Sequence, residues 1–439
     1  MTYEEALTFL YSQLPMFTRD GAAAYKADLT NTIALCEAFD NPQHKFKSIH
    51  IAGTNGKGST ASMLAAIFTK AGFKTGLYTS PHIKQFEERI RINGSMISKE
   101  AVTSFVERSI DSCAEIQPSF FELTVAMAFE YFANEKVDIA IIECGLGGRL
   151  DSTNVITPIL SIITNIGFDH MDLLGNTIEA ISTEKAGIIK KKVPVIIGRA
   201  SETSTRVFNA KAEKETAAIF YATDIYQFLQ EDKEGTFSYF YRPSNQTVQV
   251  RSALRGQYQR ENIATVLTAV EVINMATEFT FTDQKIIAQA LLEVAELTGL
   301  SARWEEISSN PTVIYDVGHN EDGMLQITSQ LKKEFSSTKK HIILGFVKDK
   351  VLDNVLTLLP KEAIYYFTNA NIPRALLAAD LAALGKQQNL IGEVYPTPLL
   401  ALKAAHKAAG EEDLILVCGS FFIMSELPTK ESFNEVMGR

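Results

Sequence analysis

The sequence lacks paired cysteines, long apolar runs and an excess of basic charge. Its four cysteines lie far apart in the chain and form no C-x-x-C pair, at Cys36, Cys113, Cys144 and Cys418. This spacing argues against a zinc cluster or a thioredoxin-type site, and isolated thiols are typical of a reducing cytosol. No apolar run reaches the ~20 residues of a membrane helix, and the acidic N-terminus is unlike a signal peptide. We therefore expect a soluble, cytoplasmic protein with no membrane partner.

The charge balance is mildly acidic. The 439 residues include 42 Lys and Arg against 52 Asp and Glu, a net charge of −10. Nonspecific nucleic-acid binders carry a basic footprint, so we expect no nucleic-acid partner. Hydrophobic residues make up 46% and charged residues 21%, which excludes long disorder. At roughly 150 residues per domain the length predicts two or three domains.

Strands alternate with helices through most of the chain. Apolar, β-branched runs predict strands at 48–52, 137–143, 159–164, 193–197, 312–317, 341–345, 364–368 and 414–418. Several runs lack polar alternation, as expected for strands covered on both faces. Helical patterns lie between them, for example at 59–71 and 101–112. This alternation indicates parallel α/β sheets.

One stretch departs from this pattern. The segments 236–242 and 247–254 flank the turn-like PSNQ at 243–246 and predict an antiparallel hairpin in a small added sheet. Two predicted helices follow, and the segment TGLS at 298–301 is a predicted linker. We place a domain boundary near residue 299.

The strongest local motif is a glycine-rich turn, GTNGKGST at 53–60, between a predicted strand and a predicted helix. Glycines let the backbone fold around an anion and direct N–H groups toward it. The helix N-terminus adds partial positive charge. Lys57 can reach terminal phosphates, and Ser59 or Thr60 can approach magnesium. The strict pattern GxxxxGK[ST] is not met, so a turn without ligand is the alternative; we favour phosphate binding.

Three further polar residues are candidates in the first half. Glu143 ends a buried strand before CGLGGR at 144–149, where an acid can hold magnesium beside a phosphate loop; a solvated strand-end acid is the alternative. His170 follows a strand in NIGFDH at 165–170. The chemistry of a histidine alone is compatible with metal binding, with a hydrogen bond to phosphate or with a structural role at this position. Lys185 would ordinarily be a surface lysine, and spacing does not indicate otherwise.

Beyond the linker, DVGHN at 316–320 follows another predicted strand. Asp316 and His319 would lie at the carboxyl edge of a second sheet. Arg303 could contact phosphate oxygens across an interdomain cleft. Without further context, an ordinary surface or interface arginine is the favoured interpretation of Arg303.

Several stretches share their sequence and order with one known family. They are AGTNGKGST at 52–60, YTSPHIKQFEERIRING at 78–94, IIECGLGGRLDSTN at 141–154, GFDHMDLLG at 167–175, TEKAGI at 183–188, QRENI at 259–263 and DVGHN at 316–320. On these stretches the chain resembles the folylpolyglutamate synthase/dihydrofolate synthase family, a branch of the Mur-type ATP-dependent amide ligases. TSPH followed by ERIRING, and GLGGRLDSTN, are specific to the folate branch.

The resemblance implies an α/β fold in two domains. Residues 1–298 would form a P-loop-type ATPase domain with a mostly parallel sheet and a small antiparallel addition. Residues 299–439 would form a Rossmann-like α/β ligase domain, with the active site between the two. The implied reaction phosphorylates a substrate carboxylate with ATP, after which the amine of L-glutamate attacks the acyl phosphate. Phosphorylation supplies a leaving group better than oxide, and magnesium with Lys57 would offset the charge.

The resemblance also implies residue roles. ATP would contact Asn55, Gly56, Lys57, Gly58, Ser59, Thr60, Asn262, Arg303, Asp316 and His319. Magnesium would be held by Ser80, Glu143 and His170. The pterin pocket would include Ser119, Phe120, Phe121, Glu122, Leu150, Asp151 and Ser152. Rings there can stack on a flat heterocycle, although core packing is the alternative for both phenylalanines. The catalytic set would be Lys57, His170, His319 and a carbamylated Lys185, with His319 and Ser420 near the incoming glutamate.

The implied cofactors are ATP and Mg²⁺, and the substrates are L-glutamate with dihydropteroate, a reduced folate or both. We expect a monomer. Three departures from the family pattern are present. SAR at 301–303 stands where many relatives have Pro-Gly-Arg, DVGHNE at 316–321 lacks the proline of the family's DGAHNP, and residues 16–26 differ from the pterin-site segment of some relatives. A cell-wall Mur ligase is one alternative, but only 52 residues precede Gly53, too few for its usual nucleotide-sugar domain. A nucleotide-dependent switch without ligase activity is the other.

Overall fold

The computed structural model describes residues 1–16, 19, 21, 28–281, 283–348 and 350–438. The chain divides into two compact units: Met1–Ala253 with Tyr258–Leu300, and Leu254–Gln257 with Ser301–Arg439. The predicted domain limits, 1–298 and 299–439, stay a prediction. The compact units divide two residues later, and the short segment Leu254–Gln257 belongs with the second unit.

The strands of the first unit are β1 (Lys47–Ala52), β2 (Thr75–Tyr78), β3 (Ile90–Ile92), β4 (Ser95–Met96), β5 (Ile139–Glu143), β6 (Leu160–Ile163), β7 (Val195–Ile197), β8 (Ile219–Tyr221), β9 (Tyr226–Glu231), β10 (Thr236–Tyr241) and β11 (Gln246–Arg251). Those of the second unit are β12 (Arg303–Ser309), β13 (Thr312–Asp316), β14 (Lys340–Leu344), β15 (Ile364–Phe367), β16 (Ile391–Val394) and β17 (Leu414–Cys418). Every strand that the sequence predicted is present.

In the described part of the first unit the α-helices are α1 (Tyr3–Thr8), α2 (Thr30–Ala38), α3 (Lys57–Lys70), α4 (Lys99–Ile116), α5 (Phe120–Asn134), α6 (Met171–Leu174), α7 (Ile178–Ala186), α8 (Glu202–Glu215), α9 (Ala222–Ile225), α10 (Gln259–Ala276), α11 (Gln284–Leu292) and α12 (Val294–Thr298). Those of the second unit are α13 (Glu321–Glu334), α14 (Asp353–Leu358), α15 (Ala378–Gln387), α16 (Pro398–Ala408), α17 (Phe421–Ser425) and α18 (Phe433–Met437). Within the described ranges, no helix is both long and apolar enough to cross a membrane.

The large sheet of the first unit has the strand order β4-β3-β2-β5-β1-β6-β7-β8 in the described part of the chain. Strands β2, β5, β1, β6, β7 and β8 are parallel, and β3 and β4 are antiparallel additions. The carboxyl ends of the parallel strands therefore meet at one edge. The chain leaves β1 toward β2 on one side and leaves β6 toward β7 on the other, which makes this edge a topological switch point, the usual ligand position in open α/β sheets.

Burial explains the apolar character of the central strands. Strands β5 and β6 are buried throughout, and β1 is buried from Ser48 onward. One apolar core unites Ala140 and Ile142 of β5 with phenylalanines of α4 and α5. Another unites Ala52 of β1 and Ile163 of β6 with Phe208 of α8. Coverage by more than one layer leaves no face on which polar alternation would be favoured.

The remaining sheets complete the α/β class predicted from the sequence. Strands β11-β10-β9 form a small antiparallel sheet, in which β10 and β11 are the predicted hairpin. The second unit contains the sheet β12-β13-β17-β14-β15-β16, parallel except for the pairing of β12 with β13. The predicted fold class, a mostly parallel α/β unit with an antiparallel addition followed by a second α/β unit, is confirmed.

Candidate functional site

The glycine-rich turn connects β1 to α3 at the switch point of the large sheet. Gly53 has φ +151° and Gly56 has φ +83°, both in the region that disfavours side chains. A Cβ on Gly53 would lie 1.9 Å from Thr164 Oγ1, and a Cβ on Gly56 would lie 2.3 Å from Asn262 Oδ1. Helix α3 starts at Lys57, so its first N–H groups have no acceptor within the helix and face the position where an anion would bind.

The segment after β6 holds this turn in shape. The N–H of Thr54 donates to Asn165 O at 3.0 Å, and the N–H of Asn55 donates to Asn165 Oδ1 at 2.9 Å. The hydroxyl of Thr164 donates to Asn55 O at 2.6 Å, and the hydroxyl of Thr54 donates to Gly167 O at 3.1 Å. The N–H groups of Thr54 and Asn55 are therefore already used, which leaves those at the start of α3 for a ligand. Asn165 was missed as a functional residue by the sequence analysis.

Two lysine side chains meet at the first residue of the turn. Lys57 Nζ donates to the carbonyl oxygens of Gly53 and Thr54, at 3.2 Å each. Lys185 Nζ, from α7, donates to the same Gly53 carbonyl at 2.8 Å and is only 4% exposed. Burial, and then the nearby charge of Lys57, lower the pKa of Lys185 to about 7, against an opposing effect of Asp169. Lys185 is thus buried at the site, unlike an ordinary surface lysine.

Helix α10 supports the opposite side of the turn. The side-chain amide of Asn262 donates to Gln259 Oε1 at 2.8 Å, and that of Gln259 donates to Ser59 Oγ at 3.3 Å. Both side chains are buried. Asn262, a predicted ATP contact, therefore lies against Gly56. Gln259 was missed, although its spacing of three residues from Asn262 places both on one helix face.

The predicted metal ligands follow three strands of the large sheet: β2 and β5, which are neighbours, and β6, which is separated from β5 by β1. The N–H of Ser80, after β2, donates to Oε2 of Glu143, at the end of β5, at 3.2 Å. Glu143 is 5% exposed, and this buried carboxylate suits magnesium completed by phosphate oxygens and water. His170 follows β6, with its side chain 28% exposed and Nε2 3.8 Å from Asp169 Oδ1. The imidazole of His170 is a softer metal ligand than the carboxylate of Glu143. The described residues contain no converging group of three His, Cys, Asp or Glu side chains.

The loop after Glu143 is organised by Asp151. Its carboxylate accepts the Leu146 N–H at 2.7 Å, the Thr153 N–H at 3.0 Å, and the Thr153 hydroxyl. Burial raises the pKa of Asp151, while these hydrogen bonds oppose the shift. Asp151 and Ser152 are buried, and Leu150 is half-buried. The predicted substrate residue Asp151 thus also shapes the loop that presents it.

The start of α5 combines helix capping with an aromatic cluster. Ser119 and Glu122 form a capping box, in which Glu122 Oε2 accepts the Ser119 N–H at 2.6 Å. This signal, S-x-x-E before an apolar run, is readable in the sequence, but the sequence analysis assigned both residues to the pterin pocket. Phe120 stacks on Tyr11 with ring centroids 5.5 Å apart. Phe121 packs against Gly145. Their role as pterin contacts stays a prediction.

A buried arginine beside these rings was missed. Arg89, in the ERIRING motif, is 5% exposed, and its Nε donates to His82 Nδ1 at 2.7 Å. Its guanidinium lies 5.1 Å from the centroid of the Phe120 ring. Burial lowers the pKa of Arg89, and the adjacent Tyr78 has the largest opposing effect. The segment 16–26, which differs from the pterin-site segment of some relatives, lies largely outside the described residues, which include only 16, 19 and 21 of it.

Two predicted residues of the second unit, Arg303 and His319, contact Phe421. Asp316 accepts the Trp304 N–H at 2.9 Å and the Gly318 N–H at 2.8 Å. The Arg303 guanidinium lies 5.1 Å from the Phe421 ring centroid, and the His319 ring lies 5.8 Å from it. Ser420 caps α17. Phe421 was missed, although it follows a residue that the sequence analysis selected.

Comparisons with known proteins cover nearly the whole chain. Residues 51–270 match the family described as Mur ligase middle domain, and residues 302–421 match Mur ligase, glutamate ligase domain. The chain is 32% identical to the dihydrofolate synthase/folylpolyglutamate synthase of Bacillus subtilis, over 97% of this chain and 98% of that protein.

Solved structures show the same similarity. Escherichia coli FolC in complex with DHPP and ADP superposes with a TM-score of 0.85 at 26% identity, covering 97% of this chain and 96% of that chain. The Yersinia pestis bifunctional folylpolyglutamate synthase/dihydrofolate synthase with Mn, AMPPNP and L-glutamate bound has a TM-score of 0.82 at 26% identity, covering 97% of each chain.

Proposed function

This chain belongs to the dihydrofolate synthase/folylpolyglutamate synthase family of Mur-type ligases, and we propose that it uses ATP to join L-glutamate both to dihydropteroate and to reduced folates. Membership in this family confirms the resemblance inferred from the sequence motifs. The chain is an ATP-dependent ligase that binds nucleotide and a divalent metal.

The observation that carries the proposal is the geometry at Gly53. The turn directs the open N–H groups of α3 toward an anion, and Lys57 lies beside it. A buried carboxylate, Glu143, ends the strand adjacent to β1. This combination of donors, cation and acid suits the phosphates of ATP with a magnesium ion.

The proposed reaction has two steps. The γ-phosphoryl group of ATP passes to the substrate carboxylate, which yields ADP and an acyl phosphate. The neutral amine of L-glutamate then attacks the acyl carbon, the bond to phosphate breaks, and loss of the amine proton leaves an amide. Lys57 binds the phosphates and offsets the charge that builds up during phosphoryl transfer. Magnesium, held by Glu143 with Ser80 and His170, would supply further charge neutralisation.

The remaining assignments keep the roles that the resemblance implied. Asn262, Arg303, Asp316 and His319 contact ATP in this proposal, and His319 and Ser420 contact the incoming glutamate. Phe120 and Phe121 line the pterin pocket in this proposal, and a flat heterocycle can stack on the less buried ring, Phe121. The proposed setting is a cytoplasmic monomer without nucleic-acid partners, which agrees with four free cysteines and a net charge of −10.

We further propose that Lys185 works as its carbamate. The neutral amine attacks CO₂, which forms an N–C bond, releases one proton and leaves a carboxylate on the side chain. The support is a buried amine whose pKa of about 7 provides a neutral fraction near neutral pH. The new negative charge would lie close to the Lys57 ammonium, because both side chains reach Gly53 O.

The carbamate can be tested by ¹³C NMR of the protein in ¹³C-bicarbonate. The wild type should show a carbamate resonance that is lost in Lys185→Gln. Lys190→Gln is the matched control, because Lys190 is another lysine whose pKa is lowered by burial. Identical spectra for wild type and Lys185→Gln would show that this lysine is unmodified.

The overall function is tested by product mass. The full chain is incubated with ATP, Mg²⁺ and L-glutamate, together with either dihydropteroate or tetrahydrofolate. We expect one added glutamate on dihydropteroate, and one or more on tetrahydrofolate. Product in only one incubation would restrict the enzyme to that substrate. ATP hydrolysis that neither acid stimulates would instead favour a nucleotide-dependent switch.

A further inference from the structure

A fully buried histidine lies in the strand that leads into the phosphate loop. His50 is in β1, three residues before Gly53, and is 0% exposed. Its Nε2 lies 2.8 Å from Thr153 Oγ1 and 3.0 Å from Cys144 Sγ. A buried imidazole loses its hydration, and hydrogen bonds within the protein must replace it; here they go to the loop after Glu143.

The hydrogen-bond partners favour one arrangement of the protons in this cluster, with Asp151 ionised. An ionised carboxylate only accepts hydrogen bonds, so the Thr153 hydroxyl donates to Asp151 Oδ1. Thr153 Oγ1 then accepts from a proton on Nε2 of His50. In the described part of the structure, Nδ1 of His50 is buried without a hydrogen-bond partner, as expected for the nitrogen that carries no proton. Burial lowers the pKa of His50 to about 3, so the ring holds a single proton near neutral pH.

The chain of hydrogen bonds ends in the loop that follows Glu143. Asp151 Oδ2 accepts the Leu146 N–H at 2.7 Å, which closes the segment 146–151 on itself. The preceding residue, Gly145, packs against the Phe121 ring so closely that a Cβ would lie 2.5 Å from it. The shape of this loop therefore depends on the orientation of Asp151, which in turn depends on Thr153 and His50.

We infer that His50 is a positioning residue that holds the loop at 145–152, through Thr153 and Asp151, in the shape that receives the pterin-bearing substrate. The identity of that substrate rests on the proposed function. His50 is buried and does not touch the reacting atoms, so it acts only through its partners. Cys144 is a weak acceptor in the same cluster, and burial raises the pKa of its thiol well above the usual range, which keeps it uncharged.

Matched variants separate the hydrogen bond from side-chain volume. Thr153→Val removes the hydroxyl at similar size, whereas Thr153→Ser keeps it. His50→Leu removes the donor, whereas His50→Gln can place an N–H near the position of Nε2. We expect His50→Leu and Thr153→Val to raise the KM for dihydropteroate about tenfold, with the KM for ATP within about twofold of wild type. The Gln and Ser variants should stay within about threefold for both substrates.

Thr328→Val is the control for a buried hydroxyl elsewhere, since Thr328 donates to Met324 O in the second unit. It should lower stability without a selective change in KM. Equal KM values for Thr153→Val and Thr153→Ser, or equal rises in KM for ATP and dihydropteroate, would overturn the inference.

Amide hydrogen exchange tests the positioning role of His50 without a measurement of enzyme activity. The Leu146 N–H should exchange faster in Thr153→Val and His50→Leu than in wild type, Thr153→Ser or His50→Gln. Unchanged exchange in the first two variants would contradict the positioning role. If the wild type forms no glutamylated product, the proposed function fails, while the exchange measurement still shows whether His50 holds the loop.

Discussion

Lys57 and Lys185 donate hydrogen bonds to one acceptor, the carbonyl oxygen of Gly53, at 3.2 and 2.8 Å. Two ammonium groups so close together repel each other, and the more buried one, Lys185, has the lowered pKa. Binding of a polyphosphate would relieve this repulsion.

Replacement of Lys57 should nearly abolish ligation. Lys57→Ala removes the cation that faces the phosphate loop, and we expect the rate of ADP formation at saturating substrates to fall by about 10²–10³-fold. Lys214→Ala, on the exposed surface of α8, is the control and should retain the wild-type rate. Turnover of Lys57→Ala near the wild-type rate would refute the assigned role.

Gly53 should tolerate no side chain. In Gly53→Ala the added Cβ would meet Thr164 Oγ1 at 1.9 Å, so β6 or the turn must move. We expect a loss of more than about 2 kcal/mol in the free energy of unfolding and weaker ADP binding by calorimetry. Gly72→Ala is the matched control, because Gly72 also has positive φ, +92°, but nothing within 4 Å of the added atom. Its cost should be only about 1 kcal/mol, with unchanged ADP affinity.

Glu143 should govern the magnesium requirement. Glu143→Ala removes the buried carboxylate at the end of β5, and we expect the Mg²⁺ concentration for half-maximal activity to rise at least about tenfold. The measurement is a magnesium titration at fixed ATP. Glu135→Ala, at an exposed ion pair with Lys74, should leave the titration as in wild type. An unchanged titration for Glu143→Ala would count against a metal role.

Lys185 should make stability depend on pH. Folding lowers its pKa from 10.5 to about 7, so below about pH 7 both states hold the proton and the buried charge destabilises the fold in full. Between about 7 and 10.5 the unfolded chain binds more protons, and stability rises with pH. The free energy of unfolding of wild type, relative to Lys185→Met, should therefore increase by roughly 1 kcal/mol per pH unit in this window. Urea unfolding in CO₂-free buffer measures it; a difference independent of pH would contradict the shift.

We expect Asp316 to stabilise the second unit, independently of its proposed contact with ATP. Asp316→Ala leaves the N–H groups of Trp304 and Gly318 without their acceptor, at a cost of about 1–3 kcal/mol for the buried Trp304 donor and less for the half-buried Gly318 donor. Asp316→Asn keeps one acceptor oxygen and should lose less. Trp304 is the sole tryptophan of the chain, so its fluorescence reports unfolding of this unit. Equal stability of the Ala, Asn and wild-type proteins would disprove the assigned hydrogen bonds.

Some features of the site could be predicted and others could not. The turn at 53–60 was recognised because glycine, lysine and hydroxyl residues are adjacent in sequence. The capping box of Ser119 and Glu122 was equally readable but was interpreted as part of a pocket. Strand β12 was missed because its sequence, RWEEISS, is too polar to resemble a buried strand. Among the described strands it pairs with β13 and lies at the edge of the sheet.

Local sequence was sufficient for the α/β class, the phosphate turn and the family, because periodicity, glycine spacing and short motifs depend on neighbouring residues. Long-range packing alone placed Lys185 against Gly53, which lies 132 positions away, and His50 against Thr153, 103 positions away. These two contacts depend on the order of strands in the sheet, and no local pattern encodes that order. The burial that lowers the pKa of Lys185 and holds His50 neutral follows from the same packing.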